Sequence, residues 1–141
     1  MTTQTCSLDL ADARRIVAAG ERHALDLRVP YSIAVVDAGG VLIAHIRMDR
    51  ARLGSVDIAI NKAWTARAFD MATADLARVA QSGAAVFGIN TTNNARVVIF
   101  GGGVPIRLHG VVIGAVGASG GSVDQDVAVA QAAVAEFESA Q

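Results

Sequence analysis

The run Tyr31-Ser32-Ile33-Ala34-Val35-Val36-Asp37 is followed by Ala38-Gly39-Gly40 and then by Val41-Leu42-Ile43-Ala44-His45-Ile46-Arg47-Met48. Two stretches rich in Val and Ile with a short glycine link predict an antiparallel hairpin. Val35 and Val36 are adjacent, which predicts cover on both faces of the first strand. Further along, Arg96 to Phe100 reads as a short strand and Gly101-Gly102-Gly103-Val104-Pro105 as a tight loop. Ile106 to Leu108, a His109-Gly110 turn and Val111 to Ala118 read as a second hairpin. Gly114 and Gly117 in its last strand predict a bend or the close approach of another backbone.

Helices fill the space between the hairpins. Asp9 caps the first, with Asp12 in the favourable first turn. Leu10, Ala13, Ile16, Val17, Gly20, Ala24 and Leu27 recur along one arc, and Pro30 blocks continuation. Val56 to Met71 has no glycine or proline and is apolar almost all round, which predicts burial on several sides. Thr73 is read as the cap of a shorter helix, Ala74 to Gln81. Gly120-Gly121 ends the last strand, and Ser122 with Gln125 fits a capping box. The final helix then carries Val123, Val127, Ala130, Val134 and Phe137 as a stripe. Hairpins joined in this way make an antiparallel sheet that helices must cover, so the class is α+β and not a doubly wound nucleotide fold.

The chain has 141 residues, which suits one domain around one core. A polar tail at 1–7 precedes a domain at 8–141. Hydrophobic residues are 52% and charged residues 18%, against about 45–50% and 25% in an average domain. The excess reads either as a subunit interface or as a tightly packed, alanine-rich monomer. Net charge is −1 and aromatics are 4%. There is no basic stripe and little to stack on bases, which argues against nucleic acid. Cys6 is the single cysteine, so no intrachain disulfide and no cysteine metal cluster is expected. No signal-peptide pattern opens the chain and charges or glycines interrupt every apolar run, so a soluble cytoplasmic protein with no membrane partner is expected.

Several residues suggest chemistry. His23, at the edge of the first helix's apolar arc, is either a metal ligand or acid–base group, or a hydrogen-bonded border histidine. Lys62 on the all-round apolar helix must snorkel, meet an anionic ligand, or pair with a carboxylate such as Asp49 or Asp37. Arg47 could clamp a carboxylate, with Met48 and Asp49 beside it. Gly101, Gly102, Gly103 and Pro105 either let the backbone approach a ligand or serve a tight loop. The glycine turn at 120–121 with its capped helix start suits an anion, but Asp124 and Asp126 would oppose one. No two histidines have zinc spacing, and no serine has an evident histidine partner.

Taken in order, Val29-Pro30, Ile33-Ala34-Val35-Val36-Asp37, Gly40, Arg47-Met48-Asp49, Asn61-Lys62-Ala63-Trp64-Thr65-Ala66, Gly101-Gly102-Gly103-Val104-Pro105, Val112-Ile113-Gly114-Ala115-Val116-Gly117, Ser119-Gly120-Gly121 and Gln125-Asp126 resemble the GlcG/HbpS-like, haem-degrading family. That family includes the C-terminal domain of PduO-type proteins. The resemblance runs over residues 8–138. It implies a profilin-like fold, a central antiparallel sheet flanked by helices in a single domain. It also implies homo-oligomers from dimer to octamer and haem as a ligand, with His23 carried over as the first-helix histidine. One departure stands out: Val127 follows Asp126 where the family often has Glu.

Three readings of function follow. One is a haem- or small-ligand-binding homo-oligomer. Another is a cofactor-independent isomerase, hydratase or lyase acting on a small carboxylate, in which Arg47 or Lys62 would bind substrate and His23 or Asp49 move a proton. The third is an accessory oligomer with no ligand.

Overall fold

The computed structural model describes residues 1–141. In chain order it forms α1 (Leu10–Leu27), β1 (Ser32–Asp37), β2 (Leu42–Arg47), α2 (Ser55–Phe69), α3 (Thr73–Val79), β3 (Gly103–Leu108), β4 (Val111–Ser119) and α4 (Val123–Ser139). The four strands make one sheet in the order β2-β1-β4-β3, antiparallel throughout. The fold is α+β, as the hairpin pattern predicts.

Period-two alternation builds the layers. Ile33 and Val35 of β1 face a core shared with α1 and α4, while Ala34 and Val36 face α2. Val35 and Val36 are both fully buried, the double cover expected from their adjacency. Each hairpin holds one unpaired residue. Val35 pairs Ala44 and Val36 pairs Leu42, skipping Ile43. Ile106 pairs Gly114 and Arg107 pairs Val112, skipping Ile113.

Alanines bring α2 close to the sheet. Ala59, Ala63 and Ala66 pack on Ala34, Val36 and Ala115. At Gly117 the approach is closest: a β-carbon there would collide with the Ala59 carbonyl oxygen and the Ala63 amide. This is the backbone contact predicted for that strand. The rest of α2 is only half covered, with Val56, Ile58, Ile60, Trp64 and Phe69 all partly exposed.

Both outer helices start as their sequences specify. The Asp9 carboxylate accepts from the Asp12 amide at 2.8 Å, and Ser122 and Gln125 cap α4 reciprocally. Arg28 takes the left-handed conformation (φ 58°) that ends α1 just ahead of Pro30.

Three local readings are corrected. Residues 96–100 are not a strand, and β3 begins at Gly103, inside the stretch read as a loop. The Val98 amide donates to Thr65 Oγ1 of α2 at 3.1 Å, so this apolar run is tied to a helix rather than to a strand. Thr73 is not a cap. It lies within α3 after Ala72, and its hydroxyl accepts from the Gly103 amide at 2.9 Å. On α4 the buried stripe is Asp126, Val129, Ala130, Ala133, Val134 and Phe137, while Val123 is 48% exposed.

Candidate functional site

The sequence places one lysine among the alanines of α2, and the fold buries it completely. Lys62 Nζ donates to Asp126 Oδ2 at 2.7 Å and to the Ala118 carbonyl oxygen at 2.9 Å. The Phe100 ring covers it, with its centroid 4.9 Å from Nζ. The other Asp126 oxygen accepts from the amides of Gly120 and Gly121 at 3.2 and 3.0 Å. Charge is therefore balanced inside the protein, and every carboxylate oxygen has a donor. A buried pair is tolerated only when saturated in this way. Burial pushes the Lys62 ammonium below its ordinary range, and Asp126 opposes that shift. Tyr31, fully buried beside the pair, has its hydroxyl pushed up, first by burial and then by the Asp126 carboxylate.

Lys62 thus pairs with Asp126, not with Asp49 or Asp37. Asp37 is engaged in the first hairpin, where Oδ1 accepts from the amides of Gly39 and Val41 at 2.8 and 3.0 Å. Asp126 is the residue that sequence reasoning passed over as a partner. Its signal was the cap: Ser122 with Gln125 starts the helix, and that start places Asp126 against the glycine turn.

Two of the three glycines meet Lys62, while Gly101 packs against Val123 and Val127 of α4. All of Gly101, Gly102 and Gly103 are buried. Gly102 has φ +123°, and a β-carbon on it would lie 2.7 Å from Lys62 Nζ and 3.0 Å from Asp126 Cβ. At Gly103 a β-carbon would collide with the Lys62 carbonyl. Gly102 and Gly103 let the chain pass over the ion pair, so the close approach they permit is to a protein cation.

The other candidates lie apart. His23 is half-buried in an open groove between α1 and α4, of about 380 Å³, with Arg22, Asp26 and Glu136 around a floor of Ala19, Ala132 and Ala135. Both helices lie on the face of the sheet opposite α2, so His23 and Lys62 do not converge. Met48 and Asp49 line a second groove of about 340 Å³ with Leu25 and Arg28 at the end of α1. Arg47 is exposed, and its Nε donates to the Ala51 carbonyl at 3.2 Å. Pro105 lines a third groove with Asp70, Met71 and Arg107. The residues grouped in the acid–base reading therefore occupy separate places. No three His, Cys, Asp or Glu side chains cluster as an ion site, and no helix is long and apolar enough to cross a membrane.

The family model described as haem degrading protein HbpS-like matches residues 8–135. The chain belongs to the HbpS-like family. Within it, the corrinoid adenosyltransferase PduO of Salmonella typhimurium is 41% identical over 133 residues, which are 94% of this chain and 40% of PduO. This chain therefore spans well under half of that relative. A crystal structure of Klebsiella pneumoniae protein ORFY superposes with a TM-score of 0.95 at 40% identity, covering 97% of this chain and 94% of that one. A crystal structure of a PduOC:Heme complex superposes with a TM-score of 0.88 at 41% identity, covering 92% and 94%. The HbpS-like fold expected from the motif order is the fold observed.

Proposed function

We propose that this HbpS-like chain binds haem in the groove between α1 and α4, with His23 as an iron ligand. The observation that carries the reading is a half-buried imidazole on an alanine floor, in a fold shared with a haem complex at a TM-score of 0.88. The groove suits the group chemically. Imidazole is a common axial ligand to haem iron. The methyls of Ala19, Ala132 and Ala135 leave room for a flat ring, and Arg22 at the rim can meet a propionate. Its only ionic contact is a 3.5 Å pair with Glu136, which is exposed and weak. Bound haem supplies an iron centre whose ligation sets its redox behaviour, while the chain binds and orients it.

The groove is open and covers one face of such a ring, so a second copy of the chain is the natural cover for the other. Assembly has independent support. The flanks of α2 carry half-exposed Ile58, Ile60 and Trp64, with Ile60 also packed on the alanine cluster. Leu53, just before that helix, is 76% exposed and Phe87 is 69% exposed. Apolar surface of this kind usually has a partner. A homo-oligomer, between a dimer and an octamer, in the reducing cytoplasm fits these surfaces and the single free, exposed Cys6.

Titration of the chain with haemin is expected to produce a Soret band saturating at a fixed stoichiometry. His23→Ala is expected to weaken binding at least tenfold and to alter the band. An unchanged spectrum at stoichiometric haemin overturns the function, and a wild-type response in His23→Ala overturns the groove.

A further inference from the structure

A second concave site lies on the opposite side of the sheet, where the start of α2 meets the end of β4 and the start of α4. It is a cleft of about 360 Å³ whose wall includes Arg52, Ser55, Phe100, Ser119 and Asp126. Four features distinguish it from an ordinary surface dent.

Ser55 and Ser119 are each only 5% exposed, line the cleft, and make no side-chain hydrogen bond to the protein. Neither oxygen is sealed from solvent, so both hydroxyls open onto the cleft, where a ligand would replace water as their partner. The Arg52 guanidinium at the rim is exposed and forms no ion pair. The N-terminus of α2 has Gly54 in the capping position and no side-chain cap; the Ser55 and Val56 amides bond to the Arg52 and Leu53 carbonyls at 3.0 and 3.2 Å, and the helix dipole still favours an anion at this end. The fourth feature is the floor. Asp126 is neutralised by Lys62 and by two glycine amides, so it presents no free negative charge to an incoming anion.

The remaining wall narrows the ligand class. Ile58, Phe100 and Val123 also line the cleft, which calls for hydrocarbon next to the charged end. Asp57 and Asp124 stand exposed in the first turns of α2 and α4, outside the lining, and they disfavour a doubly charged anion over a singly charged one. We infer that this cleft binds a small organic monocarboxylate, its oxygens held by Arg52, Ser55 and Ser119 and its apolar part lying against Phe100 and Ile58. Guanidinium and hydroxyl donors around one carboxylate are a strong recognition set, and the volume suits a molecule of a few carbons. The site is independent of haem at His23, which lies across the sheet.

The test is titration of the full chain, free of haem, followed by amide ¹H–¹⁵N spectra, with butyrate, butyramide and inorganic phosphate as probes. Butyrate is expected to give saturable shifts confined to Ser55, Ser119, Gly120, Gly121 and their neighbours. Butyramide, equal in shape but uncharged, and phosphate are expected to bind at least tenfold more weakly. Arg52→Gln changes an exposed side chain and is expected to leave the spectrum folded while weakening butyrate at least fivefold. The Ser55→Ala/Ser119→Ala pair is expected to do the same. The inference is overturned if butyrate shifts nothing in the cleft, if butyramide or phosphate binds as well, or if Arg52→Gln binds butyrate like the wild type. None of these outcomes bears on the haemin titration, so the two readings fail separately.

Discussion

Lys62 is a fully buried charge tied to two other elements. It joins α2 to the end of β4 and the start of α4 through two hydrogen bonds of 2.7 and 2.9 Å. Removing one partner of such a pair leaves a buried charge uncompensated, at a cost of about 3–5 kcal/mol. Lys62→Met is expected to lose stability of that order in urea denaturation. Lys62→Met/Asp126→Leu should lose less than the sum of its two single variants, because it removes both charges. Additive losses would show that the pair is not coupled. Little of this was legible beforehand. A lysine on an apolar helix announces that it needs a partner, but its partner lies 64 residues away in sequence, and no local pattern connects them. Asp37 and Asp49 were nearer in sequence. One serves its own turn and the other faces a different groove.

At the scale of elements, the tightest constraint is the seat of α2 on β4. A β-carbon at Gly117 would meet the Ala59 carbonyl and the Ala63 amide, and backbone on both sides leaves no flexible side chain to give way. Gly117→Ala is expected to destabilise by about 1–3 kcal/mol or more, read as a lowered melting temperature. An unchanged melting temperature would mean that α2 can lift without loss. The edge strand β2 carries a second dependence. His45 Nε2 is buried without a hydrogen-bond partner, and burial lowers its pKa from the ordinary 6.5. Above that pH both folded and unfolded chains hold it neutral. As the pH falls below about 6.5, the unfolded chain takes up the proton more readily than the folded one, and stability declines. His45→Gln is expected to flatten the urea-midpoint profile between about pH 6.5 and 5; an unaltered slope would assign that pH dependence to other groups.

At the scale of the whole molecule, the chain is finished on one side of α2 and unfinished on the other. Its inner alanines are sealed against the sheet, and its outer apolar residues are half open. Sedimentation at micromolar concentration is expected to show a single oligomer. Leu53→Asp and Phe87→Asp alter side chains that are 76% and 69% exposed in one chain, so they are expected to leave folding intact and reduce the mass toward that of a monomer. A wild-type chain that sediments as a monomer removes the proposed interface. The dispersal of the candidate residues belongs to this scale too. His23, Met48 with Asp49, and Pro105 each line a separate groove, and Lys62 lines none.

What depends on short spacing was readable from residues alone. Alternation and glycine turns specified the two hairpins. An aspartate cap specified where α1 begins, and a capping box where α4 begins. The order of motifs identified the family, because each of these signals is complete within a few neighbouring residues. Even the buried lysine of α2 was recognisable as a residue in need of a counter-charge. Only the folded chain decided which carboxylate answers it, why Gly102 and Gly103 pass over it, and why the apolar run at 97–99 leans on α2 instead of joining the sheet. Those outcomes depend on groups distant in sequence competing for the same space and the same hydrogen bonds, and that competition is settled only when the layers close.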